Sequence, residues 1–185
     1  MAKPKLLLVD GSSLAFRAFF SILDLNRFKN SNGLHTNALY SFHRMFKSIL
    51  DSEKPTHVLV AWDAGKTTFR TEMYADYKGG RSKTPGEFIE QMPYFNVLLD
   101  AWGIPHYRLN QYEADDIIGT LAKQGEAAGY EVVVLSGDKD LIQLADNNIT
   151  VKITTKGVTE LVEYTPEVIF EKYGLTPEQI IDMKG

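Results

Sequence analysis

Three apolar runs in this 185-residue chain each lead to an acid. Lys5 to Val9 (KLLLV) stops at Asp10, and His57 to Trp62 (HVLVAW) stops at Asp63. Glu131 to Leu135 (EVVVL) passes through Ser136-Gly137 to Asp138 and Asp140. Short apolar runs without polar alternation read as strands buried on both faces, as in parallel sheets. Helical patterns fill the intervals between them, so the expected class is α/β with a mostly parallel sheet. Parallel strands end on one edge, where such sheets bind ligands. Asp10, Asp63, Asp138 and Asp140 are therefore expected on that edge.

A second acidic feature is Tyr112-Glu113-Ala114-Asp115-Asp116, opening a predicted helix from Glu113 to about Ala128 closed by Gly129. Acids this close repel; at ~5 Å and an effective dielectric of ~20 each pair costs about 3 kcal/mol. In a right-handed crossover a helix leading into the third strand is expected to start at the opposite edge. The long loop after Trp102 also leaves room for a start on the same edge. In that case seven carboxylates converge.

The remaining elements follow from periodicity and caps. Thr36 is a plausible N-cap for a helix from Asn37 to about Ser52, and Asn26 to Gly33 reads as a loop. Glu87 to Trp102 reads as one amphipathic helix closed by Gly103, with a short strand at Ile104 to Leu109. A short helix is expected around Leu141 to Leu144, and a hairpin from Ile149–Thr154 and Val158–Val162. Thr165-Pro166 and Thr176-Pro177 open two last helices.

The chain has no cysteine, which excludes disulfides, thiolate metal sites and cysteine nucleophiles. A cytoplasmic setting fits that. The first apolar run is too short for a signal peptide or a membrane span. A formal charge of −4 argues weakly against nucleic acid, but without the seven acids named above it would be +3. That is the balance of an acidic metal site set in a surface that meets a polyanion. Carboxylates suit hard divalent cations, Mg²⁺ or Mn²⁺. Two such ions serve phosphodiester hydrolysis.

Lys66 to Lys83 is the second signal. Lys66, Arg70, Lys78, Arg81 and Lys83 outnumber Glu72 and Asp76, with Phe69, Tyr74 and Tyr77 interleaved. Cations grip phosphates and aromatic faces stack on unpaired bases. Plainer readings compete. An Asp after a strand is commonly a turn former, Glu113 complements a helix dipole, and charged runs are usually solvated. His35, His43, His57 and His106 lack metal-ligand spacing. Ser12 and Ser13 follow Asp10 without a G-x-S-x-G elbow. Phe16, Phe19 and Phe20 read as core rather than as a stacking platform.

Leu8-Val9-Asp10-Gly11, Trp62-Asp63, Phe69-Arg70, Tyr77-Lys78-Gly79-Gly80-Arg81, Tyr112-Glu113-Ala114-Asp115-Asp116 and Asp138-Lys139-Asp140-Leu141 together resemble the 5′ nuclease (flap endonuclease) family. The resemblance is closest to members that form the N-terminal exonuclease domain of bacterial DNA polymerase I. It implies a PIN-like fold over residues 1–164, with a helical arch at about 64–86. It also implies two Mg²⁺ ions, replaceable by Mn²⁺, on Asp10, Asp63, Glu113, Asp115, Asp116, Asp138 and Asp140. Lys78 and Arg81 match the arch cations that meet the scissile phosphate. Lys66, Phe69, Arg70, Tyr77 and Lys83 would contact DNA. The implied substrates are DNA 5′ flaps and ends, and RNA primers, with a polymerase region in the same chain. In that family a Gly-Asp-x-x-Asp-Asn run and a helix–hairpin–helix follow the position of Gly185, so residues 165–185 would open a truncated helical region. The rivals are a PIN-type ribonuclease and a catalytically impaired nucleic-acid-binding fragment.

Overall fold

The computed structural model describes residues 2–64, 85–155 and 160–184. A six-stranded sheet organises them: β1 (Lys5–Asp10), β2 (His57–Trp62), β3 (His106–Arg108), β4 (Glu131–Ser136), β5 (Ile149–Thr154) and β6 (Leu161–Tyr164). The spatial order is β3-β2-β1-β4-β5-β6, all parallel except β6. From β1 the chain builds outward to β2 and β3, then returns to place β4 on the other flank. The switch point between β1 and β4 is where α/β sheets open a crevice. The α/β expectation holds.

Helices cover both faces: α1 (Gly11–Ser21), α2 (Asn37–Glu53), α3 (Gly86–Ile89), α4 (Met92–Trp102), α5 (Ala114–Ala127), α6 (Pro166–Tyr173) and α7 (Pro177–Lys184). Strand alternation divides the core. Leu7, Val9, Val60, Trp62, Val133 and Leu135 face α1, α2 and α4. Leu8, Ala61, Val132, Val134, Val151 and Ile153 face α5 and the C-terminal helices. Gly11 lies so close beneath β2 that a Cβ there would sit 2.7 Å from Val60 Cγ1 and 3.0 Å from the Trp62 ring. Only glycine lets β1 turn into α1 at that contact.

The acid-bearing helix starts at the carboxyl edge, not the opposite one. The reason is β3, which pairs in parallel with β2 and ends at Arg108. A crossover helix departs from the edge where its preceding strand stops, and that strand is β3. The turn between them is tight. Tyr112 N donates to Leu109 O at 3.1 Å, and Gln111 takes a left-handed φ of 70°.

One helix expectation needs correction, and the cap of another is made by an unexpected residue. Glu87 to Trp102 is two helices, α3 and α4, because Pro93 at the start of α4 cannot continue a helix from before it. Thr36 stands at the N-cap of α2 but makes no side-chain cap bond. Gln91, at the α3–α4 break, does that work. Its Oε1 accepts from Ala38 N at 3.0 Å and Leu39 N at 3.3 Å. Its Nε2 donates to Asn37 Oδ1 and Glu87 O, both at 2.9 Å. Asn37 Nδ2 in turn donates to Phe19 O at 2.9 Å. Gln91 and Asn37 are fully buried, and this network ties α1, α2 and α3 together through direct hydrogen bonds.

The other endings match their signals. α4 closes in a Schellman arrangement, with Gly103 N on Asp100 O at 3.1 Å and Ile104 N on Leu99 O at 2.9 Å. The helix expected near Leu141 is a 3₁₀ segment, Lys139–Leu144. The hairpin exists as β5 and β6, with its second strand at Leu161–Tyr164 rather than Val158–Val162, while residues 156–159 lie outside the described residues. At the far end of α2, Glu53 bridges Lys5 and Lys152. Burial alone would raise its pKa, but hydrogen bonds from both lysines hold it below the ordinary value. Among the described residues no helix is long and apolar enough to cross a membrane.

Gln91→Leu should preserve volume but strand two helix N–H groups and the Asn37 amide oxygen. The expected loss is about 2–4 kcal/mol of unfolding free energy, measured by urea titration.

Candidate active site

Four elements deliver carboxylates to the carboxyl edge. Asp10 ends β1, Asp63 follows β2, Glu113 and Asp115 open α5, and Asp138 follows β4. Asp10 and Glu113 are buried; Asp63, Asp115 and Asp138 are half-buried. Asp63 and Asp10 are held by groups of neighbouring elements. Asp63 Oδ1 accepts from Ala114 N at 2.8 Å, joining the β2 end to the start of α5. Asp63 N donates to Ser12 Oγ at 2.8 Å. Asp10 Oδ1 accepts from Ser13 N at 3.2 Å, and Asp10 Oδ2 accepts from Ser136 Oγ at 2.8 Å.

Asp116 and Asp140 flank this group. Asp116 forms a capping box with Glu113, its Oδ2 accepting from Glu113 N at 3.1 Å. That bond fixes the first turn of α5 and thereby the heading of Asp115. Asp140 is exposed on the 3₁₀ segment, and its N–H donates to Asp138 Oδ1 at 2.9 Å. The dipole reading of Glu113 is therefore correct as far as it goes: it caps the helix and also belongs to the acidic group.

The electrostatics identify the centre. Asp115 has its pKa raised from 3.8 to about 8, by burial first and then by Asp10, Asp138, Asp63 and Glu113. Asp10 is raised to about 6 by burial, with Asp63 adding to it and the Ser136 and Ser13 hydrogen bonds opposing it. Four carboxylates thus act on a fifth. Among the described residues, no three carboxylate or imidazole side chains close on one point as a finished metal cage. The donor set is nonetheless all oxygen with excess negative charge, the chemistry that fits hard divalent cations.

Some expected site residues cannot be placed. Lys66, Phe69, Arg70, Tyr77, Lys78, Arg81 and Lys83 all lie outside the described residues. The segment that holds them leaves from Ala64, whose N–H donates to Tyr112 O at 3.2 Å beside the acids. Core packing holds for Phe19 but not for its neighbours. Phe16 and Phe20 are nearly half exposed and meet edge to face, at 4.8 Å between centroids.

Ser12, Ser13 and Ser136 were missed as structural members of the site. Their signal was present: small hydroxyl residues at the tips of two adjacent strands. Considering Ser12 and Ser13 only as nucleophiles concealed it.

Residues 5–174 match the family described as the 5′-3′ exonuclease, N-terminal resolvase-like domain. DNA polymerase I of Streptococcus pneumoniae (strain R6) is 60% identical over 186 residues, covering 100% of this chain and 21% of the relative. DNA polymerase I of Bacillus subtilis (strain 168) is 61% identical over 183 residues, covering 99% and 20%. The chain thus spans about a fifth of the length of these relatives. Among solved structures, T5 5′-exonuclease with divalent metal ions (zinc) bound aligns with a TM-score of 0.67 at 25% identity, over 96% of this chain and 64% of that one. Flap endonuclease-1 from Methanococcus jannaschii aligns with a TM-score of 0.58 at 17% identity, over 97% and 62%. The latter similarity is of fold.

The raised pKa values carry a sign. From about pH 4 the folded chain holds protons that the unfolded chain has released, at Asp10 up to about pH 6 and at Asp115 up to about pH 8. Stability therefore falls as pH rises through that window. In EDTA, the melting temperature should drop by several degrees from pH 5 to pH 8. Asp115→Asn should flatten that slope, as read by calorimetry at each pH.

Proposed function

The chain belongs to the 5′-3′ exonuclease N-terminal domain family, and on that basis we propose that it is a Mg²⁺-dependent 5′→3′ exonuclease and flap endonuclease acting on DNA. The observation that carries this is the convergence of Asp10, Asp63, Glu113 and Asp138 on Asp115. These five, with Asp116 and Asp140, would hold two divalent cations, Mg²⁺ with Mn²⁺ as a substitute. Bound there, such ions supply an activated water and neutralise charge on the phosphate oxygens.

The chain's own groups do the rest. Burial and backbone bonds hold the carboxylates in place before substrate arrives, so little reorganisation is needed. Lys78 and Arg81 stabilise charge on the scissile phosphate. Lys66, Arg70 and Lys83 grip the DNA backbone, and Phe69 and Tyr77 offer faces for unpaired bases. The products are a 5′-phosphate and a 3′-hydroxyl. DNA flaps and ends are the substrates, with RNA primers also accepted, in primer removal and repair in the cytoplasm. A polymerase region accompanies this domain in chains such as the relatives above. Residues 1–164 form the catalytic unit, and residues 165–185 belong to a helical region that contacts duplex.

The test incubates the chain with a labelled 5′-flap DNA, a single-stranded RNA and a blunt duplex, with and without Mg²⁺. Flap cleavage that requires Mg²⁺ and falls by about 100-fold or more in Asp115→Asn is expected. Cleavage of RNA alone would instead indicate a PIN-type ribonuclease. Binding without cleavage, even in Mn²⁺, would indicate an impaired binding fragment. Lys78→Ala should lower single-turnover rate more than it weakens DNA binding; equal losses would deny Lys78 a role in the transition state.

A further inference from the structure

One buried hydroxyl connects the two strands at the switch point. Ser136 ends β4 and is fully buried. Its Oγ donates to Asp10 Oδ2 at 2.8 Å and accepts from Asp138 N at 3.0 Å. It also lies 3.2 Å from Ser13 Oγ, which accepts from Gly137 N at 3.0 Å. A hydroxyl has one proton to give, and an ionised carboxylate has none. Ser136 spends its proton on Asp10, so the proton between the two serines belongs to Ser13. Any hydrogen bond between the serines therefore runs from Ser13 to Ser136, and the Asp10 carbonyl, 3.5 Å from Ser13 Oγ, is the other acceptor within reach of that hydroxyl.

We propose that Ser136 is a positioning residue that sets the Asp10 carboxylate and registers it against Asp138 for cation binding. Two donors, Ser136 Oγ and Ser13 N, meet the two oxygens of Asp10 and fix the plane of the carboxylate. A carboxylate offers about four lone-pair sites, so about two remain for a cation. The same hydroxyl holds the backbone of Asp138, whose Oδ1 is turned back onto Asp140 N. One oxygen atom therefore governs both acids delivered by neighbouring strands. A neutral donor suits the task, because a cationic side chain there would compete with the metal. Partners of this kind, behind a metal ligand, typically contribute 10–100-fold to affinity.

The inference rests on the metal-site reading above, and the test separates the two. Mn²⁺ alone is titrated calorimetrically into the wild-type chain, Ser136→Ala and Ser136→Thr, with melting temperatures recorded for each. We expect Ser136→Ala to bind Mn²⁺ about tenfold or more weakly, and Ser136→Thr to restore most of the affinity. A role in folding alone would lower the melting temperature of Ser136→Ala and leave Mn²⁺ affinity intact. Unchanged affinity in Ser136→Ala, or equal losses in both variants, would overturn the inference while leaving the metal site standing. A wild-type chain that binds no Mn²⁺ would overturn both. If Ser136→Ala does not fold, Ser13→Ala takes its place, with a smaller loss expected because both donors to the Asp10 carboxylate, Ser136 Oγ and the backbone N–H of residue 13, remain.

Discussion

Like charges crowded on one edge of a parallel sheet are the constraint on which this structure depends. The contrast between two acids shows how context decides the outcome. Glu53 is embraced by Lys5 and Lys152, and its pKa falls. Asp115 is met by four carboxylates, and its pKa rises to about 8. Burial raises both; at Asp115 it acts more strongly and the neighbouring acids add to it, whereas at Glu53 the lysines outweigh it. The first arrangement stabilises the fold, whereas the second opposes it and persists because packed strands behind it leave no room to relax. Trp62 and Val60 pressed against Gly11 are part of that backing. Titratable groups perturbed in this way, concentrated at one edge, cluster at functional sites.

Much of this was legible in the residues, for identifiable reasons. Buried parallel strands have no polar alternation, so β1, β2 and β4 stood out with bounds close to those observed. Glycine at a left-handed C-cap marked the end of α4 at Gly103, and Thr165 marked the start of α6, where its hydroxyl accepts from Val168 N at 3.3 Å. What misled was tertiary. The edge from which α5 departs depended on β3, a three-residue strand with too little pattern to be trusted as a sheet member. The cap of α2 comes from Gln91, more than fifty residues away, and no local signal at Thr36 reveals that. Pro93 was a local signal for the α3–α4 break that the strong amphipathic period outweighed.

The Gln91–Asn37 network and the Ser13–Ser136 relay share a physical logic. Each uses neutral polar groups, fully satisfied, to fix elements that are distant in sequence. Neutral groups cost less to bury than charges, and a complete set of partners makes the geometry specific. One network lies among helices on one face of the sheet, and the other at the tips of the strands. The acidic edge is thus held from beneath by shape and from within by hydrogen bonds.

The separation along the chain of Asp10 and the hydroxyl that holds it has a consequence for biosynthesis. Asp10 emerges early, but Ser136 follows 126 residues later. Domains gain structure as synthesis proceeds from the N-terminus, and contacts between distant residues form late. A nascent chain that has made only β1 to β3 has the acids of the first two strands but no β4 beside them. The acidic edge therefore assembles only once most of the domain is made, and until then Asp10 lacks the hydroxyl that orients it.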